Sequence, residues 1–204
     1  DVVLQWMMAT DFALLPDELR LTFYNYMVFA GPLRHDVLNE RLPLIQKFHE
    51  YYRDSGDKQR TGVVSANLGA LYRQLGQLRN ARTCHEESLA IALETQDTAS
   101  EALAMSNLGS VVIALEGPQA AIPLIERSLM LARELGDNRL ERNSLTNLAV
   151  AYRNLGEAEK AIECSQQLLT LVRINADVQG ELMALGNLGI AYIDIGNTRL
   201  ALEY

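Results

Sequence analysis

The chain is poor in the residues that catalysis and covalent cross-linking draw on. In 204 residues it has two cysteines, one tryptophan, three histidines and five prolines. Cys84 and Cys164 stand eighty residues apart. If the chain is built from stacked forty-residue units, with helix layers about 8–10 Å apart, they cannot come within the ~7 Å between Cα atoms that a disulfide needs. Both therefore read as packing residues of a reducing compartment, and the expected location is cytoplasmic. None of His35, His49 and His85 lies four residues from another histidine or a cysteine, so zinc spacing is missing. His85 follows Cys84 directly, but neighbours on a helix point about 100° apart and do not form a dyad. His49 beside Tyr51 and Tyr52 reads as packing or surface, and Glu86 and Glu87 as a solvated helix face. There is no GxxxxGK[ST] loop, hence no phosphate cradle of an ATPase within these residues. No run of about 18 apolar residues occurs, so no membrane-spanning helix is expected. Eighteen Lys and Arg face 26 Asp and Glu, a net charge of −8, which argues against a general nucleic-acid surface. The expectation is a non-enzyme with no cofactor and no metal.

What is abundant is repetition. "SANLGALYRQLG" begins at Ser65, "SNLGSVVIALEG" at Ser106, "TNLAVAYRNLG" at Thr146 and "GNLGIAYIDIG" at Gly186. Asn67, Asn107, Asn147 and Asn187 are forty residues apart, and each precedes a leucine. Ala81, Ala121, Ala161 and Ala201 keep the same period, as do Asp57, Asp97, Asp137 and Asp177. Every unit holds two helical patterns. In the first unit, Val64, Leu68, Tyr72 and Leu75 mark a helix over about 60–75, and Ala81, Cys84, Leu89 and Ala92 one over about 78–95. Gly76, Gly156 and Gly196 suit helix stops. Gly117 before Pro118 suits a stop followed by a first helical position. The aspartates suit N-caps. Small residues at Gly69, Gly109, Ala149 and Gly189 allow the paired helices to approach closely. Strand-type alternation is absent, so the class is all-α, built from antiparallel helix hairpins.

The succession Leu-Gly/Ala, Tyr three residues on, then Gly, then Ala resembles the tetratricopeptide repeat. It is most similar to the forty-residue variety of Partner-of-Inscuteable-type regulators and of bacterial signalling-protein arrays, found slightly longer in kinesin light chains. The resemblance covers 58–204, with units at 58–96, 97–136, 137–176 and a shortened 177–204. It departs from the family at His85, Ile125 and Ser165, where an aromatic is usual, and at Val112, where Tyr is usual. It implies a right-handed superhelical solenoid whose first helices line a concave groove that holds a peptide or a segment of a partner protein.

Residues 1–57 read as degenerate N-terminal repeats. "LPLIQKFHEYYRDSGD" (42–57) aligns without gaps with "IPLIERSLMLARELGD" (122–137), including Pro43 and Pro123. This predicts a second-type helix over 37–55, a first-type helix over about 17–30 and a further helix over 3–14, with Trp6, Met7 and Met8 as a contact patch. "LLPDELRLTFYNYMVFAGPL" is also similar to the segment after the winged helix in signal-transduction ATPases of bacterial regulators. At the other end, the fourth unit's second helix stops at Tyr204 after about two turns. That predicts a fragment of a longer array. Tyr192, Leu200, Ala201 and Tyr204 would lack the rest of their partner helix, and this end would be open to self-association.

With Leu68 as the core direction and about 100° per residue, one stripe opposite the core holds Val63, Ala66, Asn67, Ala70, Arg73 and Gln74. The same columns give Leu103, Ser106, Asn107, Ser110, Ile113 and Ala114, then Asn143, Thr146, Asn147, Val150, Arg153 and Asn154. In the last unit they give Met183, Gly186, Asn187, Ile190, Ile193 and Asp194. Two arginines against one aspartate leave the stripe near neutral, which suits a peptide with acidic and apolar side chains. The candidate peptide-binding residues are Asn67, Arg73, Gln74, Asn107, Ser110, Asn143, Asn147, Arg153, Asn154 and Asn187. Each Asn amide offers a donor and an acceptor. The Asn column could contact a peptide backbone, or it could bond a neighbouring helix and set the stacking angle; the sequence leaves both open. Arg73 and Arg153 share one column and could hold a carboxylate bidentately. The lysines of the carboxylate clamp in some chaperone-binding relatives are missing. The expected function is a protein-interaction scaffold; the alternative is the effector-sensing segment of a larger signal-transduction ATPase.

Overall fold

Each first helix of a hairpin opens on an aspartate whose carboxylate takes up the free backbone N–H groups of the first turn. Asp57 accepts from Arg60 N, Asp97 from Ser100 N, Asp137 from Arg139 N and Leu140 N, and Asp177 from Gly180 N. The structure, a computed structural model, describes residues 14–16, 18–20 and 35–204. Apart from a helical stretch at 18–20, the expected helices over 3–14 and 17–30 and the Trp6–Met8 patch lie outside the described residues. From His35 onward the order is α1 (His35–Asp54), α2 (Lys58–Gln74), α3 (Leu78–Thr95), α4 (Thr98–Leu115), α5 (Pro118–Leu135), α6 (Asn138–Asn154), α7 (Ala158–Ile174), α8 (Val178–Asp194) and α9 (Thr198–Glu203). No strand occurs among the described residues. The chain divides into two units, Asp1–Ser100 and Glu101–Tyr204, with α4 starting at the end of the first.

The turns between helices use left-handed backbone, which glycine adopts at least cost. Gly76, Gly156 and Gly196 take φ of +73°, +78° and +76°, and Gly117 takes +100° before Pro118. A second column alternates in residue type but keeps the conformation: Gly56 (+75°), Gln96 (+57°), Gly136 (+65°) and Ala176 (+52°). A side chain in this region costs about 1–2 kcal/mol, partly offset by the entropy that glycine gains in the unfolded chain. Ala176→Gly is therefore expected to stabilise the chain by about 1 kcal/mol. Thermal unfolding would register this as a midpoint a few degrees higher; a lower midpoint would contradict the strain assignment.

In the first unit α2 packs on both α1 and α3. Leu44 and Phe48 of α1, Val64 and Leu68 of α2, and Ala81 and Ala92 of α3 are buried. Leu89, expected in the α3 stripe, is half-buried, whereas His85 and Ser88 are buried. At Gly69 an added Cβ would lie 2.5 Å from the His85 ring, and at Gly109 2.4 Å from Ile125, so glycine sets the closeness of these two hairpins, whereas at Gly189 it would meet only an ordinary contact, 3.5 Å from the Ala201 carbonyl.

The second unit repeats the scheme. The buried Ser128 hydroxyl of α5 donates to the Ala102 carbonyl of α4 at 2.6 Å and meets Ser144 Oγ of α6 at 2.9 Å. Consecutive helices from α5 to α9 pack in pairs, and the first helices α6 and α8 also touch. Tyr192 is 9% exposed and stacks on Tyr204, with ring centroids 5.5 Å apart.

One expectation needs correcting. α4, with 18 residues at mean hydropathy 1.3, is long and apolar enough to cross a membrane. A core helix meets the same measure, and Ala102, Ala104, Leu108, Val111 and Val112 are buried in the fold. Short Ser, Thr and Asn side chains had interrupted the apolar run in the sequence without lowering its mean enough.

Candidate functional site

The first helices carry the residues singled out from the sequence, and each unit is taken by itself. In the first unit, Asn67 is half-buried on α2, while Arg73 and Gln74 are exposed in its last turn. Val63, on the same stripe, is 47% exposed. Ala66, expected there too, is buried.

In the second unit, Asn107, Ser110, Asn143, Asn147, Arg153 and Asn187 are half-buried, and Asn154 is exposed. The Ser110 hydroxyl turns back to the Asn107 carbonyl at 2.7 Å. Asn147 Nδ2 donates to Ser106 on the neighbouring first helix, at 3.1 Å to its carbonyl and 3.0 Å to its hydroxyl. Ser106, predicted for the open stripe, is therefore buried in the seam between α4 and α6. At Asn187 the equivalent Nδ2 is buried with no hydrogen-bond partner among the described residues. Its column-equivalent acceptor, Thr146, directs its hydroxyl to the Arg142 carbonyl at 2.8 Å.

Several large apolar residues are exposed on α8. Val178, Leu182, Met183, Ile190 and Ile193 are between 44% and 71% exposed. Sequence reasoning placed three of them on the stripe but ranked only polar residues as candidates. The signal was there: α8 carries apolar residues around most of its circumference, which a helix with one buried face does not need.

Hydroxyl groups tie first helices to the preceding second helix. Gln46 Nε2 donates to the Tyr72 hydroxyl at 2.7 Å, and the Tyr152 hydroxyl donates to Glu126 at 2.9 Å. Burial, aided by Glu126, pushes the Tyr152 phenol up to about 12. The cysteines are free and buried. Burial raises both thiols to about 11, so neither is a thiolate near neutrality.

Glu87 is not the solvated residue the sequence suggested. Its Oε2 accepts from Ser65 Oγ at 2.6 Å and lies 2.7 Å from His49 Nε2, which also lies 2.8 Å from Ser65 Oγ. Serine, histidine and carboxylate thus meet, but on one ring nitrogen. A proton relay of the serine-hydrolase kind needs the serine and the acid on opposite nitrogens, and Ser65 is wholly buried. This geometry joins three helices and does not activate a nucleophile. No metal-holding cluster of His, Cys, Asp and Glu occurs among the described residues.

Comparison with known proteins agrees with this architecture. A comparison with curated proteins found no match. Among solved structures, the chain is similar to a protein described as a kinesin light chain with nearly identical TPR-like repeats, from Podosopora anserina. The identity is 20%, covering 93% of this chain and 92% of that one, with a TM-score of 0.68. It is similar to BtubC (BKLC) from P. vanneervenii at 18% identity, covering 92% and 82% of the two chains, with a TM-score of 0.66. It is also similar to part of a signal transduction ATPase with numerous domains that has a tetratricopeptide repeat sensor, from Pyrococcus horikoshii. There the identity is 18%, the coverage 93% of this chain and 30% of that one, and the TM-score 0.71. At these identities the likeness is one of fold. A family model described as tetratricopeptide repeat matches residues 60–134, 100–174 and 140–204. The chain belongs to the tetratricopeptide repeat family, whose repeats generally serve as protein-interaction scaffolds.

Proposed function

We propose that the chain is a non-enzymatic interaction module of a reducing compartment such as the cytoplasm. The first helices of its forty-residue units 58–96, 97–136, 137–176 and 177–204 would receive a peptide segment of a partner protein with acidic and apolar side chains. The observation that carries this reading is that α6, which bears Arg153, touches α8, which bears the exposed Met183, Ile190 and Ile193. A monomer gains nothing from exposing a row of large apolar residues, and such a row is a usual anchor for a bound peptide. Arg153 supplies a guanidinium for a carboxylate. The first unit offers Asn67, Arg73 and Gln74 in the same role.

The Asn column is in part structural: Asn147 spends its donor on the preceding first helix, and the Asn187 Nδ2 is buried without a hydrogen-bond partner among the described residues. An unbiased peptide-library selection on the full chain tests the proposal. Selected sequences are expected to carry Asp or Glu near an apolar residue, and Arg153→Glu to weaken them about tenfold or more. Asn147→Ala is expected to lower the melting midpoint, with affinity per folded molecule unchanged. Selection of nothing, or indifference to Arg153→Glu, would remove the α6–α8 face from consideration.

A second reading makes the array an effector sensor within a larger signalling ATPase. The fold likeness to the Pyrococcus horikoshii sensor supports it, and a nucleotide-binding loop elsewhere in the same polypeptide would favour it.

A further inference from the structure

The forty-residue period provides an internal control, and the first unit departs from it in a concentrated way. Where later repeats place Leu89, Leu129 and Leu169, the α1 helix has His49. Where they place Met105, Leu145 and Leu185, α2 has Ser65. These two polar residues meet each other and Glu87 of α3, replacing an apolar contact with a hydrogen-bonded cluster. Such a cluster contributes less to stability than packed leucines, so its presence calls for another reason.

The cluster borders a cleft of about 550 Å³, within the size range of ligand sites, between α1 and α3 and open to solvent on one side. Leu68 and Tyr72 of α2 form its floor. Glu50 of α1 and Glu87 of α3 both line the cleft. Glu87 commits Oε2 to the cluster and leaves Oε1 unengaged, and Glu50 has no ionic or hydrogen-bond partner among the described residues. Among the described lining residues the one Arg or Lys is Arg53, which is exposed and lies 3.7 Å from Asp54. Two carboxylates across an apolar and aromatic floor match an alkyl chain that ends in a cation.

We propose that this cleft is a second binding site, which takes up an arginine or lysine side chain of a partner protein. The methylene stem lies along Leu68 and Tyr72, and the charged head lies between Glu50 and Glu87. The open side admits a side chain attached to a bulky partner. His49 and Ser65 position Glu87 rather than touching the ligand. This proposal does not depend on the α6–α8 face.

The test is a backbone-amide NMR titration of the full chain with three probes: the blocked peptide acetyl-Ala-Ala-Arg-Ala-Ala-amide, its Gln counterpart, and butylguanidinium chloride. The Arg peptide is expected to give saturable shifts in residues 46–53 and 80–87 that weaken about tenfold in Glu50→Gln. They should persist in Glu86→Gln, which neutralises the exposed neighbouring carboxylate. His49→Leu with Ser65→Leu, copying the later repeats, is expected to raise the melting midpoint while weakening the same shifts; a purely structural cluster would change only the first. No saturable response, an equal response to the Gln peptide, or insensitivity to Glu50→Gln would overturn the proposal. Butylguanidinium binding as tightly as the peptide would overturn its assignment to a protein side chain in favour of a free amine or guanidine.

Discussion

Acidification from pH 6.5 to pH 4 is expected to remove about 3 kcal/mol of stability from the first unit through His85 alone. The ring is completely buried and neither nitrogen has a hydrogen-bond partner among the described residues. Burial, with a smaller contribution from the charge of Arg73, lowers its pKa from 6.5 to about 4. Between those values the unfolded chain binds the proton and the folded chain does not, so stability falls as pH falls. Above pH 6.5 the ring is neutral in both states and the stability is fully present. Below pH 4 it is charged in both and the loss is complete. His85→Ile copies Ile125, which occupies the same column of the next repeat opposite Gly109. That substitution is expected to flatten the pH dependence over this window. At pH 7 it should add about 1–2 kcal/mol by removing two unsatisfied buried nitrogens. Urea unfolding at pH 7, 5.5 and 4.5 for both chains measures the difference. Equal slopes in the two would show that His85 is not the titrating group. Asp97 and Asp177 have pKa values held below the usual carboxylate range, Asp97 by the Ser100 backbone N–H and Asp177 by that of Gly180, so their contributions are lost mainly below this window.

Gly69→Ala is expected to destabilise the same unit by about 2 kcal/mol, although alanine is the better helix former by about 1 kcal/mol. The new methyl would lie 2.5–2.9 Å from three atoms of the His85 ring, a rigid buried group that cannot swing aside. The repeats themselves indicate the remedy. Gly69 faces His85 and Gly109 faces Ile125, while the third repeat carries Ala149 with the smaller Ser165 in the same columns. The double substitution Gly69→Ala with His85→Ser is therefore expected to recover most of the loss. A double-mutant cycle should give a favourable coupling of about 1 kcal/mol or more. Additive effects would mean that the two positions do not share one packing contact.

Much of the architecture was legible from residues that act locally. The aspartate caps, the glycine stops and the 3.6-residue apolar stripes depend only on near neighbours, and the α2 and α3 boundaries fell within about two residues of expectation. The candidate face was legible in part. A helical wheel drawn from one core direction treats every other direction as solvent, but a stacked helix has neighbours on more than one side. Ala66 and Ser106 were misplaced for that reason. The Ser65–His49–Glu87 cluster escaped notice because its members are 16 to 38 residues apart and each looked ordinary in its own helix.

Repeat length, helix pairing, helix limits and membership of an all-α class are properties of spacing and of single-turn chemistry, so the linear chain by itself decided them. Which amides remain free was settled only by tertiary packing. Asn147 and Asn187 occupy equivalent positions, yet one meets Ser106 and the other finds no acceptor among the described residues. The difference depends on the side chain supplied by another repeat forty residues away, which no local rule contains.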